Sequence, residues 1–217
     1  MGIQSAISTL KNELPQDVKL VAVSKFKPVE DIMEAYACGQ RAFGENRPQE
    51  LASKAKALPS DIEWHFIGHL QTNKIKFVLP YASLIQSVDS ERLLAAINSA
   101  AAASGKAVSC LLEVHIASEE SKQGFSPEEV LELSRRFEDF PHVHLRGVMG
   151  MASLTEDREK IRREFRSLKQ LSDAVRVSRP DFDQISMGMS GDWRLAVEEG
   201  ATIVRIGSTI FGARQMN

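Results

Sequence analysis

Lys25 closes a short apolar run rich in β-branched residues, 20–24, and Pro28 then fits the first position of a following helix. Alternation along a strand puts Val21, Val23 and Lys25 on one face. An amine held among apolar walls and near other cations loses proton affinity, and the neutral amine can condense with a carbonyl to a Schiff base. The plainer alternative is a strand-end lysine reaching for solvent. Near the other end of the chain, Ile203 and Arg205 share a face of a second apolar run. A guanidinium buried there needs an acceptor such as a phosphate, a ring nitrogen or a carboxylate. Glu45 and Glu113 are the chain's own candidates for a structural salt bridge.

Two loops have chemistry suited to an anion, SMGMSGDW at 186–193 and IGSTIFG at 206–212. Ser190 is expected to cap a helix beginning near Asp192, so that its hydroxyl and the free N–H groups of the first turn converge. Gly207 and Ser208 directly follow a strand, where glycine admits close backbone approach and serine adds a donor. The elements that must position these groups alternate. Strands are expected at 20–24, 42–44, 63–67, 84–88, 108–114, 144–148, 184–186 and 203–206. Helices are expected at 29–38, 48–57, just before Pro80, 90–104, 126–137, 156–177 and 193–199, after an amphipathic helix at the N-terminus. Ser126, Pro127 and Glu129 form a capping box with proline at the first helical position. Strict alternation gives parallel strands, and eight of them suit a closed (β/α)8 TIM-type barrel in one domain, residues 1–217, with its mouth at the strands' C-terminal ends.

Composition narrows the function classes. The 217 residues are 43% apolar and 26% charged with a formal net charge of −2, and no basic run tracks a phosphate backbone, so nucleic acid is not an expected partner. No apolar run reaches membrane-spanning length and no signal-peptide core opens the chain, so no membrane association is expected. Cys38 and Cys110 are far apart and form no redox or metal pair, which fits reduced thiols in a cytoplasm. His65 and His69 have i, i+4 spacing, but Gly68 and a strand assignment keep them off one helix face, so no metal site is expected. His142 and His144 fall at the barrel's bottom, where stability is the default role.

The segments AVSKFKP, FGENRPQE, WHFIGHLQTNK, SMGMSGDW and VRIGSTIFGAR, spaced as they are, resemble the pyridoxal phosphate homeostasis protein family, also called proline synthetase co-transcribed homologues. The likeness runs from Leu20 to Arg214. It implies a barrel like the N-terminal domain of alanine racemase, with pyridoxal 5′-phosphate (PLP) bound as an internal aldimine on Lys25. It also implies that Asn46 lies beside the cofactor, that Ser186, Ser190, Gly207 and Ser208 hold the phosphate, and that Arg205 faces the pyridine nitrogen. Many members have an aromatic and an aliphatic residue after that asparagine, whereas this chain has Arg47 and Pro48, so its loop is expected to differ in shape.

Catalysis by PLP usually requires a carboxylate beside the ring nitrogen, so that the ring can draw in charge. An arginine in that place cannot accept a proton and disfavours a protonated ring. A racemase can work with such an arginine, but removing and returning a proton on opposite faces needs a second acid or base besides the lysine. Alanine racemase takes its tyrosine from a separate C-terminal domain, whereas this chain ends at Asn217 directly after the barrel, and Tyr36 and Tyr81 are not placed to serve. The expectation is therefore a cytoplasmic, monomeric PLP-binding protein of vitamin B6 homeostasis, with no catalytic residue. It would hold, buffer or hand PLP to apo-enzymes, and amino acids could react at the bound cofactor. The alternatives are an amino-acid racemase recruiting His69, Cys110 or His115 as second base, and a Schiff-base aldolase of a sugar phosphate using Lys25 and both loops.

Overall fold

A strand followed by a helix must return in its original direction, so each successive strand lies parallel to the last. The computed structural model describes residues 2–117 and 123–212. Its strands are β1 (Lys19–Val23), β2 (Ala42–Glu45), β3 (Glu63–Phe66), β4 (Ala82–Val88), β5 (Val108–Val114), β6 (Val143–Gly150), β7 (Gln184–Ser186) and β8 (Ile203–Ile206). They close in sequence order into one barrel, with β8 parallel to β1 and Val21 opposite Arg205.

Helix α1 (Ile3–Glu13) precedes the barrel, and α2 (Val29–Ala37), α3 (Pro48–Ala57), α4 (Ile75–Val78) and α5 (Glu91–Ala103) follow the first four strands. After β5 to β8 come α6 (Pro127–Ser134), α7 (Arg158–Arg176), α8 (Trp193–Glu198) and α9 (Ser208–Phe211). Local chemistry fixes several starts. Pro48 and Pro127 open α3 and α6, Ser126 and Glu129 complete the capping box, and the side chains of Ser90 and Asp157 cap α5 and α7. Helix α6 ends three residues earlier than the sequence suggests, and a 3-10 turn, Phe137–Asp139, follows; Phe137 leaves the helix line to meet the Phe182 ring at 5.6 Å. Helix α9, at four residues, is too short to show a period and was not expected.

Alternation sorts the strand side chains into two layers. Val21, Ala42, Leu84, Leu111, Met149 and Ile203 pack inside the barrel. Phe43, Phe66, Ile85, Leu112, Val148 and Val204 join the larger core shared with the helices. Among the described residues no helix is long and apolar enough to cross a membrane, and no cluster of His, Cys, Asp and Glu could hold a metal ion.

Candidate cofactor site

Beyond Val23 the chain turns sharply. Lys27 N donates to Ser24 O at 3.0 Å, and Phe26, with φ 63°, is the one non-glycine among the described residues with positive φ. That conformation costs an aromatic residue about 1–2 kcal/mol and persists where neighbours over-determine it. Here the neighbours are a buried ion cluster. The Lys54 ammonium donates to Ser24 O (2.8 Å), Glu45 Oε1 (2.8 Å) and Glu50 Oε1 (2.7 Å). Ser24 Oγ donates to Glu45 Oε1 at 2.6 Å, and Phe26 N donates to Glu50 Oε1 at 2.7 Å. Both flanks of Lys25 are thus gripped from β2 and α3. Lys25 itself is exposed, and its amine has no partner among the described residues. Burial pushes the Glu45 carboxyl up from its ordinary value, against the pull of Lys54. Arg47 precedes α3 in extended backbone and lays its guanidinium over the Phe26 ring at 4.4 Å, a use of the unusual Arg47-Pro48 pair.

Asn46 leaves β2 next door, and its Oδ1 is buried without a hydrogen-bond partner among the described residues. The loop after β3 crosses directly above it. A Cβ on Gly68 would lie 2.3 Å from Asn46 O and 2.6 Å from its Cα, so only glycine fits. Ser87 Oγ donates to Gly68 O at 2.6 Å and pins the crossing. On the far side of β1, a Cβ on Gly207 would sit 3.3 Å from both Cβ and O of Val23, so the β8 exit packs closely on the end of β1. Lys27 Nζ ties the same two loops by donating to Phe211 O at 2.6 Å. Ser190 Oγ accepts from Gly207 N (3.3 Å) and Thr209 N (3.5 Å), which joins the β7 and β8 loops, and Ser208 is exposed beside them.

Arg205 stands beneath this mouth and is 4% exposed. Its Nη1 donates to Ser186 O (2.9 Å) and Ser186 Oγ (2.6 Å), and Nη2 donates to Gly150 O (3.0 Å). Burial pulls its pKa down to about 10 against the attraction of Asp192 and Glu113, so it remains a cation at neutral pH. Glu113 and Asp192 are both raised by their own burial, with Arg205 opposing.

The structure therefore brings Lys25, Asn46, Ser190, Gly207 and Ser208 to one end of the barrel, with Arg205 below them. It departs from the sequence reading at two points and removes one alternative left open there. Ser190 does not cap α8; Met189 N is instead bound by Asp192 Oδ1 at 2.6 Å, and the Ser190 hydroxyl serves the β8 loop. Ser186 is fully buried, with its hydroxyl held by Gln86 and Arg205, so it lies inside the barrel and not among loop groups open to a phosphate. Arg205 makes no salt bridge to Glu45, which is paired with Lys54, nor to Glu113. Sequence reasoning missed Ser24, Glu50 and Lys54. The Glu50–Lys54 spacing is that of an ordinary surface helix pair, which hid the cluster. It took His65 as structural and did not single out Gln86, although a glutamine at an inward position of the apolar LIQSV strand was a visible signal. Of the proposed second bases, Cys110 belongs to the outer core, its thiol pushed up by burial, and His69 is exposed with Asp89 at 3.1 Å.

The alanine racemase N-terminal domain model matches residues 2–215. The pyridoxal phosphate homeostasis protein of Vibrio alginolyticus is 42% identical over 205 residues, covering 92% of this chain and 88% of that protein. Its counterpart in Escherichia coli K12 is 36% identical over 217 residues, covering 97% and 92%. PipY of Synechococcus elongatus PCC7942, solved with PLP bound, superposes with a TM-score of 0.88 at 34% identity, covering 97% of this chain and all of that one. Alanine racemase of Clostridium difficile 630 shares the fold at 14% identity, with a TM-score of 0.80 over 58% of its length. The buried amide oxygen of Asn46 and the Lys25 amine, both without a partner among the described residues, and the glycine-lined loops that the geometry assembles are thus set in a chain that belongs to the pyridoxal phosphate homeostasis protein family, built on the alanine racemase N-terminal barrel.

Proposed function

We propose that the chain, as one domain, holds PLP at the C-terminal mouth of the barrel, buffers it and passes it to apo-enzymes, without efficient turnover. The observation that carries this reading is an amine without a partner among the described residues, Lys25, held in a clamped turn after the strand that pairs with the one bearing Arg205. The bound form of PipY supports the choice of ligand. The residues fit the group. Lys25 offers a nucleophilic amine to an aldehyde. Asn46 has an unsatisfied acceptor for a ring hydroxyl, and Ser190, Gly207 and Ser208 line a loop pair suited to a phosphate. Arg205 would offer a cation to the ring nitrogen. Ser186 would orient Arg205 in this reading.

When bound, PLP supplies an aldehyde that reacts with amines and a ring that can draw in charge. Arg205 works against the second property, because a guanidinium neither accepts a proton nor favours a protonated ring. Two of the groups considered as a second base are engaged elsewhere: Tyr36 donates to Asp61 at 2.8 Å, and Cys110 belongs to the core shared with the helices. Two free cysteines accord with a reducing cytoplasm, and we take the working form as a monomer.

Purified protein should be yellow, and an added amino acid should change its visible spectrum without loss of the amino acid's enantiomeric purity. Lys25→Ala should be colourless and folded. A wild-type protein that stays colourless after incubation with PLP would remove the reading and favour the sugar-phosphate aldolase; loss of enantiomeric purity would favour the racemase.

A further inference from the structure

Four side chains from four strands join in a line across the barrel interior. Arg205 Nη1 lies 2.6 Å from Ser186 Oγ, Ser186 Oγ lies 2.6 Å from Gln86 Oε1, and Gln86 Nε2 lies 2.7 Å from His65 Nδ1. All four residues are at least 96% buried. A guanidinium has no acceptor, so Ser186 Oγ accepts from Arg205, and with Gln86 Oε1 as the one acceptor within reach of its hydroxyl among the described residues it sends its own proton there. That turns the amide nitrogen of Gln86 toward His65, whose Nδ1 must then be a bare lone pair with the ring proton on Nε2. The cation at one end therefore fixes the direction of every bond to the other end. Burial independently keeps His65 neutral, holding its pKa down at about 4; Lys19 pushes the same way and Glu63 opposes. His65 also lines a floor cavity of about 350 Å³ with Lys19, Glu63, Asp17 and Asp183, so the line runs from floor to mouth.

Resting on the PLP-binding reading above, we propose that His65 and Gln86 are positioning residues for the cofactor: they lock the Ser186 hydroxyl in one direction and so fix the guanidinium plane of Arg205 against the ring. A guanidinium with one allowed orientation holds a facing group at lower entropic cost than one free to turn. Gln86 touches no part of the mouth in this arrangement and acts through Ser186 and Arg205.

The test compares the PLP dissociation constant of wild type, Gln86→Leu and Gln86→Glu between about pH 5 and 8, with the His65 tautomer read by nitrogen-15 NMR. Wild-type His65 should be the neutral Nε2–H form throughout, with no histidine-like step in affinity. Gln86→Leu should remain yellow but bind PLP about tenfold more weakly, because Ser186 Oγ loses its acceptor and the guanidinium its fixed orientation. Gln86→Glu keeps the volume but accepts from both sides, so it should draw a proton onto His65 Nδ1 and introduce a pH step in PLP affinity. A merely structural role would lower the melting temperature of both variants and leave affinity flat with pH. An Nδ1–H tautomer in wild type overturns the proposal without any variant. So does a Gln86→Glu protein with wild-type affinity at every pH, and this variant decides the matter if Gln86→Leu does not fold. A colourless wild type with the Nε2–H tautomer would instead count against the PLP reading and leave the bond line standing.

Discussion

Arg205 is where local chemistry is most exposed to a single change. Replacing it with Gln removes the cation and one of two fork nitrogens, leaving Gly150 O or Ser186 O without a donor in a buried site. Arg205→Gln should weaken PLP binding about tenfold and cost about 1–3 kcal/mol of stability, checked by equilibrium binding and denaturant melts. His65 sets a pH dependence whose sign is fixed by burial. Its folded pKa is depressed from 6.5 to about 4, so the unfolded chain binds the extra proton first as pH falls. Its contribution is fully present above pH 6.5 and is lost on acidification toward pH 4, a loss of about 3 kcal/mol at most. Glu45, whose pKa is raised when folded, acts in the opposite sense: its contribution is present below its unfolded value and fades as pH rises. Melts of wild type and His65→Phe across that window should show a flatter acid limb in the variant; parallel limbs would mean His65 is not the group responsible. At this scale strand parity placed Arg205 on the inward face of the last strand and Lys25 just past the end of the first, whereas Asn46 came from the family resemblance alone. Parity does not report depth, and so Ser186 was read as a loop ligand when it lies within the barrel.

The elements matter through the contacts that bend their ends. The cluster of Glu45, Glu50 and Lys54 joins β2 and α3 to the turn after β1, and it holds Phe26 in a conformation the turn would not choose alone. Lys54→Met should therefore strip a buried carboxylate of its partner and destabilise the protein by about 3–5 kcal/mol, while pairing it with Glu45→Gln should recover part of that loss in a double-mutant cycle. Simple additivity of the two changes would mean that the pair is not coupled. Gly68→Ala drives a methyl into the Asn46 backbone, 2.3 Å from its carbonyl oxygen. It should cost about 1–3 kcal/mol and weaken PLP binding together, because the strand end bearing Asn46 has to move. Strands and long helices were readable from period, proline and capping signals. The helix after β8 was not, since four residues carry no period, and its absence from the reading is why Ser190 was assigned to the wrong loop partner.

The whole molecule supplies the one relation that neither a residue nor an element contains, the adjacency of the first and last strands. Eight alternating units made closure the better reading, and closure alone sets Val21 opposite Arg205 and brings the β8 exit against Val23. The bond line through the interior was not legible, because it depends on four strands at matching heights and so on register, which parity leaves open. The adjacency is tested most directly by borohydride reduction of the PLP-loaded protein followed by peptide mass spectrometry. The added mass should appear on Lys25 alone in wild type and persist on Lys25 in Arg205→Gln at lower occupancy. Label on Lys27 or Lys54, or on no lysine, would contradict the account.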